Sequence, residues 1–261
     1  MNNDPAARRI QTFSDPAPLA RAAAEELTRL AVAAVKERGY ATVALSGGST
    51  PKVLYALLAD EPAFRDRLPW SQTHFFFGDE RHVPPDAKDS NFRMAKEAMF
   101  DKLEGTLPAE NIHRVHGEGT DAAKVAANYA GEISAFFNGK DGGKAGEGSL
   151  PRFDVILLGM GPDGHTASLF PGTTGLREMD TLVTASWVDK LSTYRVTFTP
   201  PLLRAGATIL FLVAGADKTD TLATVLEGPS ETDRYPSQGI SADGGQTLWL
   251  IDTAAGAKLE G

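Results

Sequence analysis

In FDVILLGMGPDGHTASLFP, residues 153–171, an apolar run passes directly into a glycine-rich turn that ends in Asp163-Gly164-His165. The run at 153–158 is apolar at successive positions rather than alternate ones. That pattern belongs to a strand buried on both faces, as in a parallel sheet covered by helices. It recurs outward along the chain as ATVAL at Ala41–Leu45, HFFF at 74–77, ATILFLV at 207–213 and TLWLI at 247–251. Helical patterns fall between these runs, at 18–38, 50–59, 90–100, 121–137 and 217–226, with Gly39 as the stop of the first. Alternation of this kind predicts an α/β fold with a doubly wound, mostly parallel sheet and helices on both faces. Two shorter and more polar runs, 183–185 and 194–199, are expected as extra edge strands. A short helix is expected to start within 166–170. NGKDGGKAGEGS at 138–149 holds five glycines and no large apolar residue, and reads as a solvated, mobile loop inside a single domain spanning 1–261.

Composition narrows the function. The 261 residues are 42% hydrophobic and 23% charged, which is globular rather than disordered. Acidic residues outnumber basic ones, 34 to 26, for a formal charge of −8. That balance argues against nucleic acid or an anionic membrane as a partner, so an anionic ligand needs a local positive site. Aromatic residues, at 8%, are not interleaved with a basic stripe. Absence of cysteine excludes disulfides, thiolate metal sites and a cysteine nucleophile. MNNDPAARRIQTF lacks the apolar centre of a secretory signal, and no apolar run approaches the roughly 20 residues of a membrane helix. A cytoplasmic protein, and a monomer, is expected.

Four strand ends carry chemistry. ALSGGSTP at 44–51 takes a buried strand through Ser46, Gly47, Gly48, Ser49 and Thr50 to Pro51, the expected first helical residue, with Ser49 or Thr50 as cap. Free N–H groups at such a helix start suit a phosphate, although an ordinary strand–turn–helix junction reads the same way. FGDERHVPP at 77–85 clusters Asp79, Glu80, Arg81 and His82, either as a ligand site in which Arg81 forks onto phosphate or as a solvated turn. Asp89-Ser90-Asn91 resembles a helix cap, with Asn91 aimed at the same crevice. In the 153–171 stretch, His165 suits acid–base work near neutral pH and Asp163 is close enough to orient it. LVAGADKTD at 212–220 puts Lys218 in the first turn of a helix, where a cation is unfavourable unless an anion binds. The chain has neither Gly-x-Ser-x-Gly nor His-Glu-x-x-His, and His113 with His116 lacks the carboxylates of a metal site. No metal is expected.

Taken together these strings resemble the 6-phosphogluconolactonase family: SGGSTP at 46–51, WSQTHFFFGDERHVPPD at 70–86, DSNF at 89–92, GMGPDGHTASLFPG at 159–172, RVTFTPPLL at 195–203, GADK at 215–218 and LWLIDTAA at 248–255. The resemblance implies a Rossmann-like fold shared with sugar-phosphate isomerases and glucosamine-6-phosphate deaminases. It implies hydrolysis of 6-phospho-D-glucono-1,5-lactone to 6-phosphogluconate in the oxidative pentose phosphate pathway, with no cofactor and a phosphosugar lactone as the small-molecule partner. By position, His165 matches the general base. Arg81 and Lys218 match the residues that hold the phosphate, beside the loop of Ser46, Gly47, Gly48, Ser49 and Thr50. Asp79, Asn91 and Arg195 are further candidates for substrate contact. The alternatives are a glucosamine-6-phosphate deaminase/isomerase and a non-catalytic sugar-phosphate sensor. Against the first, those relatives continue Asp-Gly-His toward Asn-Glu-Pro and carry Asp-Glu-Tyr where this chain has Asp79-Glu80-Arg81. Against the second, the chain has no spare basic module and keeps His165 in its loop.

Overall fold

The computed structural model describes residues 8–140 and 150–260. Its strands are β1 (Arg8–Phe13), β2 (Ala41–Leu45), β3 (Thr73–Phe77), β4 (Asp79–Arg81), β5 (Val155–Leu158), β6 (Val183–Val188), β7 (Thr193–Phe198), β8 (Thr208–Val213) and β9 (Gln246–Asp252). Its α-helices are α1 (Pro16–Arg38), α2 (Ser49–Asp60), α3 (Pro62–Arg65), α4 (Asn91–Ala98), α5 (Ala122–Lys140), α6 (Pro200–Arg204) and α7 (Thr219–Glu227). Six strands form a parallel sheet in the order β1-β9-β8-β5-β2-β3. Every residue of β2, β3, β5 and β8 is buried, which is why these strands are apolar or small at successive positions, His74 of β3 excepted.

Both faces of the sheet are covered. Adjacent residues of β3 point to opposite sides. Phe75 meets Phe100 at 5.7 Å between ring centroids, while Phe76 meets Phe136 of α5 at 5.2 Å. Helix α1 packs against β1, β2, β5, β8 and β9. Its buried stripe is mostly alanine, including Ala20, Ala23, Ala24, Ala31 and Ala34, so the helix lies close to the strands. Asp15 caps its start by accepting from Ala17 N at 3.0 Å, and Gly39 ends it in the left-handed region at φ 85°. No helix among the described residues is long and apolar enough to cross a membrane.

The extra strands expected at 183–185 and 194–199 are present as β6 and β7, but they do not lengthen the edge of the main sheet. They form a separate antiparallel sheet in the order β4-β7-β6. Only Gly78 separates β3 from β4, so the chain leaves the main sheet there and Phe198 N bonds to Gly78 O at 2.8 Å. Helix α5 packs against β6 and β7. It continues through 138–140, where a loop was expected, and residues 141–149 of that expected loop lie outside the described residues. No helix starts within 166–170. Leu169 N bonds to Thr166 O at 2.9 Å across a tight turn, and Ala167 holds φ at 48°, which a right-handed helix does not use.

From β2 the chain passes to β3 on one side, and then returns to β5 on the other. Connections that diverge in this way open a crevice at the carboxyl ends of the strands.

Candidate active site

A cavity of about 290 Å³ occupies that crevice. It brings all four chemistry-bearing stretches together: Ser46 to Pro51 after β2, Asp79 and Arg81 of β4 with Asn91, Gly159 to Pro162 with His165 and Ala167 after β5, and Lys218 beyond β8.

At the β2 end, helix α2 starts at Ser49, one residue before the expected 50–59 stretch and two before Pro51, the expected first helical residue. Its cap is Gly48, at φ 112°, with no side-chain hydrogen bond, so Pro51 is the third helical residue. Glycine adopts this conformation without strain, and the first N–H groups of α2 are left without a side-chain cap. The buried Tyr55 hydroxyl fixes the loop by accepting from Ser46 N at 2.9 Å and donating to Ser46 O at 2.8 Å. Burial pushes the Tyr55 phenol above its usual range, so it stays protonated. Ser46 lines the cavity, and its Oγ is buried with no hydrogen-bond partner.

Arg81 brings positive charge to the same wall. Its Nη1 donates to Asp89 O, and its buried Nε has no partner. Arg195 stands directly across from it in the β4–β7 register but is not among the lining residues. Burial, and then the charge of Arg81, lower the Arg195 pKa, against the pull of Asp79, Glu80 and Asp89. Asp79 and Glu80 are buried, so the solvated-turn alternative does not hold. Asp79 accepts from Ser168 Oγ at 2.7 Å, and Asn91 Nδ2 donates to Asp79 O at 3.0 Å. Glu80 turns away to cap α4, accepting from Asn91 N at 2.7 Å, Phe92 N at 2.8 Å and Ser90 Oγ at 3.0 Å. Burial raises its carboxyl pKa against the pull of those N–H donors.

Lys218 closes a short turn, Ala216–Lys218, and stands immediately before α7 rather than inside its first turn. Asp252 holds that turn by accepting from Gly215 N at 3.0 Å, and Lys218 Nζ lies 2.8 Å from Asp217 Oδ2.

His165 lines the other part of the cavity. Its Nδ1 is 2.5 Å from Asp163 Oδ1, which leaves Nε2 to meet a ligand. Partial burial alone would raise the Asp163 pKa, but hydrogen bonds from His165 and Lys190 outweigh it and hold the carboxyl well below its usual range. Phe170 stacks on the imidazole at 4.1 Å. The loop is tied from outside: Ser237 Oγ donates to Gly164 O at 2.7 Å and Thr221 Oγ1 to Pro162 O at 2.6 Å. Gly161 is required by close approach, since a Cβ there would fall 2.0 Å from His165 Nδ1.

Among the described residues no group of three or more His, Asp or Glu is placed to hold a metal ion. His113 is engaged with His74 and Glu132 instead. Tyr55, Ser168, Phe170 and Lys190 were not singled out from the sequence. Ser168 and Phe170 lie within the Asp-Gly-His string, whereas Tyr55 and Lys190 carry no local signal.

The family described as "Glucosamine-6-phosphate isomerases/6-phosphogluconolactonase" matches residues 14–249. The chain belongs to this family. Within it, the "6-phosphogluconolactonase" of Nostoc sp. is 45% identical over 89% of this chain and 90% of its own length. The "6-phosphogluconolactonase" of Synechocystis sp. is 42% identical over 87% of this chain and 88% of its own. Among solved structures of the family, "6-phosphogluconolactonase from Trypanosoma cruzi" superposes with a TM-score of 0.81 at 30% identity, covering 100% of this chain and 99% of that one.

Proposed function

We propose that the chain is a 6-phosphogluconolactonase that hydrolyses 6-phospho-D-glucono-1,5-lactone to 6-phospho-D-gluconate, in the oxidative pentose phosphate pathway. One observation carries the reading. An imidazole tethered through Nδ1 to a carboxylate shares a single cavity with Lys218, Arg81 and an uncapped helix start. The chain's relationship to enzymes of that name supports it.

In the proposed reaction, neutral His165 accepts a proton at Nε2 from water as the water oxygen bonds to C1. The carbonyl electron pair moves to oxygen. When the intermediate collapses, the bond between C1 and the ring oxygen breaks, and the imidazolium returns its proton to that leaving oxygen. Asp163 favours the transient imidazolium through Nδ1. Lys218, Arg81 and the N–H groups around Ser49 and Thr50 hold the phosphate and so orient C1. Asp79 and Asn91 set the cavity wall, and Arg195 adds positive potential from the strand beside Arg81.

The deciding experiment generates the lactone in place with glucose-6-phosphate dehydrogenase and reads the product with 6-phosphogluconate dehydrogenase as NADPH. The buffer-only rate is subtracted, because the lactone also opens spontaneously. Acceleration that disappears in His165→Ala is the expected result. No acceleration overturns the reading, and ammonia release from glucosamine 6-phosphate becomes the next assay.

A further inference from the structure

We infer that Lys190, in the turn between β6 and β7, is a positioning residue for His165, gripping both groups that hold the imidazole. The inference rests on the reading of His165 as the base.

Four side chains form a closed ring. Asp163 Oδ1 takes His165 Nδ1 at 2.5 Å and His165 N at 3.3 Å. The other carboxylate oxygen, Oδ2, takes Lys190 Nζ. Lys190 Nζ also lies 4.6 Å from the centroid of Phe170, whose ring stacks on His165 at 4.1 Å. The imidazole is therefore held along its edge by Asp163 and across its face by Phe170, and one ammonium touches both supports. A carboxylate with both oxygens engaged cannot rotate away from Nδ1 without losing a charge-assisted bond. That fixes the tautomer with its proton on Nδ1 and its lone pair on Nε2.

The two sheets supply different parts of this ring. His165 and Asp163 follow β5 of the parallel sheet. Lys190 comes from the small sheet, on the turn Asp189–Leu191, closed by Ser192 at φ 47°. The base is thus set by how the β6–β7 hairpin docks on the loop after β5. Lys190 is 51% exposed and borders an outer cleft of about 540 Å³, so shortening or neutralising it leaves no buried void.

The charge has a definite consequence. The groups around the imidazole are Asp163 on its own loop, Lys190 from the hairpin, and Asp79, Arg81 and Lys218 on the other cavity walls. Lys190 offsets the negative charge of Asp163. Without it the carboxylate favours the imidazolium more strongly, so the base is protonated, and inactive, at higher pH.

The test is the pH profile of kcat/KM for lactone hydrolysis by Lys190→Met, Lys190→Gln and Lys190→Arg in the full chain, with melting temperature measured alongside. In the Met and Gln variants the acid limb should move up by about half a pH unit. Their kcat should fall about three- to five-fold, the size a half-exposed ion pair can carry, with KM unchanged. Lys190→Arg should keep the wild-type acid limb. An acid limb that stays in place in both neutral variants overturns the inference. Wild-type kcat in His165→Ala instead overturns the underlying base assignment, so the two failures are distinguishable.

Discussion

Gly161→Ala should cripple catalysis while leaving substrate binding nearly intact. Gly161 is not in the left-handed region, so alanine fits its backbone and the effect is steric. The added Cβ would lie 2.0 Å from His165 Nδ1, 2.1 Å from Cε1 and 2.7 Å from Asp163 Oδ1. Ordinary contact needs about 3.5 Å, so the imidazole must retreat by roughly 1.5 Å. The Phe170 ring, stacked at 4.1 Å, leaves little room on that face. The loop backbone resists as well, because Gly161 N bonds to His165 O at 2.9 Å and Gly164 N to Gly161 O at 3.0 Å. The remaining escape is rotation of the side chain away from Asp163. A base misplaced by an ångström or more costs on the order of 100-fold in rate. Lys218, Arg81 and the Ser46–Thr50 loop are carried by other strand ends, so KM should stay within about three-fold. Overpacking should cost about 1–3 kcal/mol, a fall in Tm of a few degrees. The coupled lactonase assay on purified protein, with circular dichroism to confirm folding, gives both constants. A kcat within about three-fold of wild type would refute the close-approach argument and the base geometry behind it.

Other substitutions separate the two ends of the cavity. His165→Ala should lose kcat by about 10²- to 10⁴-fold, whereas Lys218→Ala and Arg81→Ala should each raise KM by about 10- to 100-fold, the worth of a charged hydrogen bond; a kcat defect alone in either cation variant would contradict its phosphate role. Gly47→Ala places a Cβ 2.0 Å from Asn91 Oδ1 and should raise KM about ten-fold by pushing Asn91 from the wall; unchanged steady-state constants would show that the wall yields freely. Burial, with the charges of Lys140 and His113, lowers the His74 pKa to about 4. The unfolded chain therefore binds the extra proton first, and stability falls as pH drops from about 6.5 toward 4. Between pH 7.5 and 5 this one group should cost ~2 kcal/mol, read by urea melts, and His74→Gln should flatten that slope; a slope equal to wild type in the variant would rule His74 out as its source.

The parts of this molecule that could be read from sequence are those whose cause is local. Strands β2, β3, β5 and β8 are legible because burial on both faces demands small or apolar residues in succession. Strand β1, RRIQTF, is not, since it pairs on one side only and is almost wholly exposed. Helix α2 starts at Ser49, ahead of the expected Pro51, because a glycine backbone at φ 112°, not a hydroxyl, turns the chain. His165, Arg81, Lys218 and the Ser46–Thr50 loop line one cavity because each sits in a compact string at a strand end, and Asp163 joins them through His165 Nδ1. Lys190 reaches Asp163 from 27 residues away, in a turn without a motif. The role of Glu80 depends on where α4 points its N-terminus, which no neighbouring residue encodes. Arg195 was a sound candidate by sequence, yet register alone put it beside Arg81 and off the cavity surface.

The hydroxyl groups near His165 bear on whether the attacking atom belongs to water or to the protein. A serine or threonine nucleophile needs a hydroxyl bonded to the imidazole that activates it. The two hydroxyls that follow His165 in the chain are already engaged. Thr166 Oγ1 donates to Gly159 O at 2.8 Å, and Ser168 Oγ donates to Asp79 Oδ2 at 2.7 Å. Ser46 Oγ is buried without any partner, His165 included. Nδ1 is committed to Asp163, so only Nε2 can act as a base, and none of these three hydroxyls lies against it. A strained ester carbonyl is reactive enough for hydroxide-like water, given a base and a place for the developing oxyanion. These contacts support the proposed direct attack by water, in which binding energy from the phosphate is spent on alignment rather than on forming an acyl-enzyme. Acid quench of a single turnover with enzyme in excess, followed by intact-protein mass, checks this. Direct attack leaves the protein mass unchanged at every time point, whereas a protein carrying the added mass of the acyl group on a serine or threonine would overturn it.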